Sequence, residues 1–228
     1  TFNAGANVIG LIDGGAGSND TLNFGAFTSP LDIKLTGLGL VDGFDGTRGT
    51  PLATFTNINA IVGGTAVDKL TALDTDSTWN INPAPTPNTY MTSGVTLNFS
   101  KLETLIAGSG ADTFAFIGSG SLTGSIDGGL GTDTLDYHAS TLSVTVNFPA
   151  QTASGVTGAV KNFENVLGNS LGVTIYGDAF DNILTGSSGN DFIYGLGGND
   201  TLIGLGGDDT LDGGTGVDTV DYSGSSAA

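Results

Sequence analysis

Residues 177–221 repeat with a period of nine: GDAFDNILT (177–185), GSSGNDFIY (186–194), GLGGNDTLI (195–203), GLGGDDTLD (204–212) and GGTGVDTVD (213–221). Glycine occupies the first position of every unit. The sixth position carries Asn182, Asp191, Asp200, Asp209 and Asp218, and the eighth carries Leu184, Ile193, Leu202, Leu211 and Val220. A glycine, a carboxylate and an aliphatic side chain in fixed phase predict a tight turn followed by a short strand that fills a core.

The nine-residue unit divides into a turn and a strand. Its first six residues suit a turn, because glycine adopts positive φ without steric cost and aspartate tolerates turn conformations. The last three residues alternate, which points the eighth inward. Two units then complete one coil, so the turns alternate between two edges of the coil. This predicts that Asp191 stacks on Asp209 along one edge and that Asp200 stacks on Asp218 along the other.

Stacked carboxylates need a counter-charge. At about 4 Å two such charges repel by roughly 1 kcal/mol in water and about 4 kcal/mol near a protein surface. No Lys or Arg follows Lys161 in the sequence, so we expect a bound cation. Aspartate and backbone carbonyl oxygens form an all-oxygen site that suits Ca²⁺, and the repeats lack the His and Cys that zinc or copper would favour. The candidate metal-site residues are Asp112, Asp133, Asn182, Gly189, Asp191, Gly198, Asp200, Gly207, Asp209 and Asp218.

The first unit departs from this pattern, because it carries Asn182 at the sixth position and Phe180 at the fourth. These two changes predict a weaker site there, or none.

The pattern GGxGxDxUx, with U a large aliphatic residue, resembles the RTX nonapeptide repeat. The resemblance is strong over 177–222 and at 128–136, and it extends to the repeat regions of large bacterial secreted adhesins and surface proteins. It implies a calcium-binding β-roll that is secreted, often by a type I route. It also implies folding outside the cell, where calcium is abundant.

A longer repeat surrounds the nonapeptides. IDGGAGSNDTLNF (12–24), IDGGLGTDTLDY (126–137) and LDGGTGVDTVDY (211–222) are copies of one motif, and residues 1–15 resemble 113–129. A second signature recurs at 55–72, 99–116 and 163–169. Because both ends of the chain cut through copies of the first motif, we expect a tandem array that continues end to end.

Composition excludes several classes of protein. Glycine makes up 39 of 228 residues, about 17 % against a typical 7 %, but it has no triplet period, which excludes collagen. The net charge is −18, and 21 of the 23 acids are Asp, a turn former. Such acidity opposes binding to nucleic acid or to anionic membranes. The chain has no Cys and no apolar run long enough to span a bilayer.

These patterns predict an all-β fold: an elongated right-handed parallel β-solenoid that ends in a regular RTX-type β-roll. Apolar residues keep the nine-residue spacing upstream, at Ile61, Leu70 and Trp79, at Leu105 and Phe114, and at Ile126, Leu135 and Val144. We expect an irregular solenoid over 1–167 and a calcium-binding roll over 168–228, continuous with each other. The segment NPAPTPN (82–88) is predicted to be a loop that interrupts the coil.

The sequence gives little support for catalysis. His138 is the only histidine, and GNSLG (168–172) matches a nucleophile elbow without the helix that this motif requires. Glu103 and Glu164, the only glutamates, occupy similar places in the second signature, which favours a repeat role over an acid–base pair. The chain is therefore predicted not to be an enzyme.

Three functional hypotheses remain. The first is a calcium-stabilised extracellular structural or adhesive protein, with calcium as its partner. The second is the self-assembling subunit of an extracellular filament or sheath, joined end to end. The third is the accessory region of a secreted hydrolase or epimerase.

Overall fold

The computed structural model describes residues 10–49 and 53–225, and these residues form strands and turns without a helix. The strands are short, two to seven residues each, because the chain turns at the end of every strand. They are β1 (Gly10–Asp13), β2 (Thr21–Asn23), β3 (Asp32–Leu38), β4 (Phe44–Arg48), β5 (Ala53–Ile58), β6 (Ala60–Val62), β7 (Lys69–Thr71), β8 (Ser77–Ile81), β9 (Asn88–Thr92), β10 (Val95–Ser100), β11 (Thr104–Ile106), β12 (Asp112–Phe116), β13 (Ser125–Asp127), β14 (Thr134–Asp136), β15 (Val144–Asn147), β16 (Thr152–Ala153), β17 (Val160–Lys161), β18 (Asn165–Leu167), β19 (Val173–Tyr176), β20 (Ile183–Ser187), β21 (Phe192–Tyr194), β22 (Thr201–Leu205), β23 (Thr210–Asp212) and β24 (Thr219–Val220).

The strands assemble into three sheets. Sheet A has the order β1-β5-β4-β3-β7-β11-β13-β17, and sheet C has the order β16-β15-β19-β21-β23. Sheet B has eleven strands in the order β2-β6-β10-β9-β8-β12-β14-β18-β20-β22-β24 and runs from one end of the described chain to the other. Apart from three stretches (β3–β5, β8–β10 and β15–β17), successive strands alternate between sheet B and sheet A or C, which is the path of a parallel β-solenoid. The predicted all-β solenoid is confirmed.

The C-terminal coils have the predicted period. In sheet B, Leu184 pairs with Leu202 and Leu202 with Val220. In sheet C, Ile175 pairs with Ile193 and Ile193 with Leu211. Every partner lies 18 residues along the chain, so each nonapeptide supplies half a coil.

The interior is a continuous apolar stack. The eighth-position aliphatic residues of the inner units are fully buried, and so are the upstream residues predicted from the nine-residue spacing. Aromatic rings join the stack where the coils are wider: Trp79 stacks on Phe114 with ring centroids 5.1 Å apart, and Phe116 stacks on Tyr137 at 4.6 Å. Each buried side chain of this size contributes about 1.5–3 kcal/mol, so stability accumulates coil by coil.

The N-terminal part is less regular than a plain solenoid. Antiparallel pairing joins β3, β4 and β5 in sheet A and β8, β9 and β10 in sheet B. The proline-rich segment 82–87 connects β8 to β9, as the predicted loop excursion requires. These meanders widen sheets A and B without ending them, because β7 and β12 resume parallel pairing afterwards.

Sheet C replaces sheet A opposite sheet B between residues 144 and 161. Strand β15 opens the parallel run of sheet C, and β17 is the last strand of sheet A. We propose that the division between the irregular solenoid (1–167) and the regular roll (168–228) reflects this change of face, with sheet B continuing through both. The resemblance of residues 1–15 to 113–129 falls partly on residues 1–9, which lie outside the described residues.

Candidate metal sites in the repeat turns

The sixth-position residues form two columns, because each one stands at the start of a strand. The residues that lead into sheet B follow its strand order: Asp112, Asp133, Glu164, Asn182, Asp200 and Asp218 stand at β12, β14, β18, β20, β22 and β24. On the other edge, Asp68 and Glu103 lead into sheet A, and Asp191 and Asp209 lead into sheet C. The sequence period thus places the predicted carboxylates along two lines parallel to the solenoid axis.

Hydrogen bonds from backbone N–H groups to the sixth-position side chains link neighbouring turns within each column. The N–H of Asp191 donates to Asp209 Oδ1 at 3.0 Å, and the N–H of Asp200 donates to Asp218 Oδ1 at 3.0 Å. The predicted pairing of carboxylates 18 residues apart is therefore confirmed. Each carboxylate accepts from the coil before it, which fixes the register between neighbouring turns.

The same ladder runs through the irregular part of the chain. The N–H of Asp112 donates to Asp133 Oδ1 at 2.8 Å, and the N–H of Asp133 donates to Glu164 Oε2 at 2.7 Å. On the other edge the N–H of Asp68 donates to Glu103 Oε2 at 2.9 Å. The two glutamates thus have the same repeat role, as the sequence predicts.

Glycine at the first position makes room for the carboxylate of its own turn. A Cβ on Gly128 would lie 2.7 Å from Asp133 Oδ2, and one on Gly63 would lie 2.8 Å from Asp68 Oδ2. In the four nonapeptides with an aspartate at the sixth position, a Cβ on the first-position glycine would lie 2.2–2.4 Å from the Oδ2 of that aspartate. A side chain at this position would displace the carboxylate, which explains why glycine opens each unit.

At the fourth position, backbone from the coil before takes the space of a side chain. A Cβ on Gly198 would lie 2.5 Å from the Phe180 carbonyl oxygen, and one on Gly207 would lie 2.5 Å from the Gly189 carbonyl oxygen. A Cβ on Gly189 would instead lie 2.7 Å from the backbone nitrogen of Gly172. The three fourth-position glycines named by the sequence are therefore close-packed, but Gly189 packs against a donor and the other two pack against acceptors.

Four of the turns are closed by their own second residue. In these turns the second-position N–H donates to the sixth-position side chain: Gly64 to Asp68 at 2.5 Å, Gly108 to Asp112 at 3.3 Å, Asp178 to Asn182 at 2.9 Å and Ser187 to Asp191 at 2.6 Å. We call 63–68, 107–112, 177–182 and 186–191 closed turns. Their second and fourth residues lie outside the left-handed φ region, even where the residue is glycine.

Five other turns have the opposite conformation. Their second and fourth residues both have positive φ: Gly15 and Gly17, Gly129 and Gly131, Leu196 and Gly198, Leu205 and Gly207, and Gly214 and Gly216. We call 14–20, 128–133, 195–200, 204–209 and 213–218 open turns. In three of them the second-position N–H turns back to the aspartate two residues earlier: Gly15 to Asp13, Gly129 to Asp127 and Gly214 to Asp212.

The open conformation leaves carboxylate oxygens without a donor. Among the described residues, no hydrogen-bond partner reaches the buried Oδ2 atoms of Asp20, Asp133 and Asp200. Asp133 is 0 % exposed and Asp200 is 1 % exposed, so water does not replace the missing donor at the surface. A buried carboxylate oxygen without a partner is costly, and a bound cation would satisfy it.

The comparison with known families agrees with this geometry. The family described as RTX calcium-binding nonapeptide repeat matches residues 174–202 and 194–224, in four copies. Residues 174–224 are RTX repeats. We refer to them as the RTX block, and RTX repeats bind Ca²⁺. No curated protein shows significant similarity to the chain.

Burial disfavours ionisation of the carboxylates inside and outside the RTX block. Burial is the main cause that raises the pKa of Asp200, and the charge of Asp218 adds to it. Burial likewise raises the pKa of Asp133 to about 7, with further contributions from Asp112 and Glu164. The pKa of Asp191 is also raised, mainly by burial, although the hydrogen bonds from Val173 and Ser187 oppose the shift. A cation beside these groups would favour their charged form.

The donor set of the turns fits calcium. Carboxylate oxygens and closely packed backbone carbonyl oxygens are hard ligands, and Ca²⁺ accepts six to eight of them. Over residues 10–49 and 53–225, no group of three or more His, Cys, Asp or Glu side chains converges as a metal site. Backbone carbonyls must therefore supply most of the ligands, which is consistent with the close approach of carbonyls to the fourth-position glycines of the RTX block.

A second ladder in the RTX block lies at the fifth position, which the sequence reasoning missed. Asn199 Oδ1 accepts from the N–H of Val217 at 2.9 Å, Asn190 Oδ1 accepts from Asp208 at 2.9 Å, and Asp181 Oδ1 accepts from Asn199 at 2.6 Å. The sequence does contain a signal for this ladder, because four of the five units have an Asp or Asn at the fifth position. This ladder stabilises the outer surface of the turns, while the sixth-position ladder stabilises the inner surface.

The residues considered for catalysis lie in turns that connect strands. His138 is exposed and lies 3.4 Å from Asp136, with Nδ1 towards Oδ1. The GNSLG segment connects β18 to β19, so a strand follows it where an elbow needs a helix. Within this segment Asn169 is buried and donates to the carbonyls of Ser140 and Leu142.

None of the residues that the structure describes forms a helix of the length and hydrophobicity needed to cross a bilayer.

Proposed function

We propose that the protein is a calcium-stabilised extracellular structural or adhesive repeat protein, whose Asp- and Gly-rich turns bind Ca²⁺ and fold outside the cell. The observation that carries the proposal is the line of buried carboxylates leading into sheet B. These include Asp133 and Asp200, whose Oδ2 atoms lack a donor among the described residues. No Lys or Arg follows Lys161 in the sequence, so the RTX block carries no cation of its own that could neutralise Asp200.

The proposed mechanism is electrostatic. Without calcium, repulsion between stacked carboxylates and the high chain entropy of glycine oppose folding of the RTX block. With calcium, the free energy of binding becomes free energy of folding. Extracellular calcium modules have dissociation constants of roughly 10⁻⁴–10⁻³ M, so such sites fill outside the cell and stay empty in the cytosol. This supports secretion before folding.

Circular dichroism of the full chain tests the calcium dependence. We expect the β-sheet signal to fall when EGTA removes calcium and to return when calcium is added in excess. Magnesium at the same concentration is the control, because it demands octahedral geometry and keeps its water. A β-sheet signal that EGTA leaves unchanged would contradict the proposal.

A filament subunit is a second candidate function, and the C-terminal coil favours it. Its motif (211–222) repeats that of 126–137, but the coil after 137 covers the inner copy. Tyr137 is 0 % exposed, whereas its counterpart Tyr222 is 69 % exposed. Leu135 is likewise buried and its counterpart Val220 is partly exposed. A second copy of the chain, stacked through its N-terminal strands β1 and β2, would cover this end and continue sheet B.

Electron microscopy and sedimentation in calcium test the end-to-end assembly. We expect filaments or a ladder of oligomers from the unaltered chain, and their loss in Val220→Lys. Leu171→Lys is the matched control, because Leu171 is exposed in the connection between β18 and β19. A chain that stays monomeric at high concentration in calcium, or equal effects of the two substitutions, would rule out the filament.

A further inference from the structure

Turn 128–133 has the conformation of the RTX turns although it lies outside the RTX block. Gly129 and Gly131 have φ of +95° and +129°, and the corresponding Leu196 and Gly198 of the RTX block have +75° and +101°. The N–H of Gly129 donates to Asp127 at 3.1 Å, which keeps it away from the carboxylate of the turn. The turn is therefore held open by the residues before it.

Asp133 points an unsatisfied oxygen into this turn. Its Oδ1 accepts from the N–H of Asp112 at 2.8 Å. Its Oδ2 is buried, and no protein donor within the described part of the chain reaches it. Asp200 has the same arrangement in the RTX block: Oδ1 accepts from Asn182 at 2.9 Å and Oδ2 lacks a partner there. Asp133 and Asp200, which lie in two separate regions, thus each have one buried carboxylate oxygen without a donor in the described part of the chain.

Carbonyl oxygens come close to the same turn. A Cβ on Gly129 would overlap the Gly108 carbonyl oxygen, and one on Gly131 would overlap the Gly110 carbonyl oxygen. Only glycine permits this approach, so the motif GGLGTD brings acceptors from the coil before to the turn that holds Asp133. A carboxylate with nearby carbonyls is an all-oxygen environment for a hard divalent cation.

Turn 186–191 shows the contrary arrangement inside the RTX block. Asp191 Oδ2 accepts from the N–H of Ser187 at 2.6 Å, and Oδ1 accepts from the N–H of Val173 at 2.7 Å and from Ser187 Oγ at 3.0 Å. Both oxygens are satisfied by protein donors. The second-position N–H occupies the side of the carboxylate that a cation would take.

We propose that turn 128–133 binds Ca²⁺ through Asp133 Oδ2, and that turn 186–191 is held by its own hydrogen bonds and supplies no carboxylate to calcium. Calcium sites then follow the open conformation of the turn and extend beyond the RTX block into the irregular solenoid. This inference rests on the calcium-dependent folding proposed above. It also assigns Asp191 a role different from that of the other sixth-position aspartates, although all of them occupy the same position in the repeat.

Counting bound ions in two matched variants tests the site. Asp133→Asn keeps the acceptor for the Asp112 N–H but removes the charge. Asp112→Asn is the control, because Asp112 is 1 % exposed, lies next to Asp133 in the same column and belongs to a closed turn. Native mass spectrometry of the full chain in calcium should show one ion fewer for Asp133→Asn and an unchanged number for Asp112→Asn. An unchanged count for Asp133→Asn, or the same loss in both variants, would overturn the inference.

Hydrogen exchange on the unaltered chain gives a second test that needs no variant to fold. We expect calcium to slow exchange at least tenfold over 128–137 as well as over 195–220. Slowing over 195–220 alone would overturn the inference and leave the proposed function standing. If calcium slows exchange in neither region, the proposed function fails and this inference fails with it.

Discussion

Turns 186–191 and 195–200 are neighbours in the chain, and their sixth-position aspartates are equally buried, yet they satisfy those aspartates differently. In the first, Ser187 donates its N–H to the carboxylate. In the second, Leu196 has a φ of +75°, and Asp200 Oδ2 is left without a donor among the described residues. The second residue of the turn thus decides whether the second carboxylate oxygen receives a donor from its own turn.

The largest expected effect separates the two aspartates. Asp200→Ala should reduce the number of bound calcium ions and remove the associated stabilisation, about 2.7 kcal/mol when calcium is present at 100 times its dissociation constant. Asp191→Ala should leave the number of ions unchanged and lower the melting temperature at saturating calcium, because buried N–H groups lose their acceptor. Calorimetric titration and thermal unfolding measure the two quantities. Equal ion loss in both variants would remove the distinction between open and closed turns.

Replacing the first-position glycine should weaken calcium binding in an open turn but not in the neighbouring closed turn. Gly195→Ala places a Cβ against Asp200 Oδ2, so the carboxylate must move from the position that faces the cation. We expect the calcium concentration at half-folding to rise about tenfold or more, which corresponds to about 1.4 kcal/mol. Gly186→Ala is the control in the closed turn: because folding and binding are coupled, it also raises this midpoint as it lowers stability, but it should leave the number of bound ions unchanged, whereas Gly195→Ala should reduce it. The comparison fails if both variants lose the same number of ions.

Ser187 offers a smaller test of the closed turn. Its Oγ donates to Asp191 Oδ1 at 3.0 Å and accepts from the N–H of Gly189 at 3.0 Å. Ser187→Ala removes both bonds and keeps the backbone donor, so we expect a loss of about 1–2 kcal/mol in the free energy of unfolding. Chemical denaturation in saturating calcium measures it. A gain in bound calcium on this substitution would show that the hydroxyl, and not the backbone N–H, keeps the cation out, and would contradict the closed-turn interpretation.

The smallest expected effect concerns strain in the open turns. Leu196 and Leu205 have φ of +75° and +73°, which a leucine adopts at a cost, whereas Gly214 fills the same position in the last unit. Leu196→Gly should therefore stabilise the calcium-bound protein by up to about 1 kcal/mol, reduced by the greater entropy of glycine in the unfolded chain. Thermal unfolding in calcium, with Leu171→Gly as an exposed control outside the open turns, would detect it. A lower melting temperature for Leu196→Gly would refute the strain argument.

The repeat predicted the parts of the fold that depend on spacing. The 18-residue coil, the buried column through Leu184 and Leu202, and the pairs Asp191–Asp209 and Asp200–Asp218 all follow from which residue types recur at which interval. These features depend on side-chain direction and strand spacing, which a period determines.

The conformation of the turns could not be predicted in the same way. Gly189 and Gly198 are both glycine at the fourth position, but only Gly198 has positive φ. Glycine permits either conformation, so its presence does not choose between them. A usable signal lies outside the six-residue turn: an aspartate just before the first glycine, as at Asp127 and Asp212, takes the second-position N–H. The antiparallel meanders were missed because their strands interrupt the period.

The unbroken course of sheet B has a mechanical consequence. Its eleven strands, spaced about 4.8 Å apart, place the coils in series along one axis, so a load applied to the two ends passes through every coil in turn. Under such a load the RTX block would release one 18-residue coil at a time, each lengthening the chain by about 60 Å. Calcium bound at successive open turns would then set the force of each step, and the closed turns would yield at forces independent of calcium.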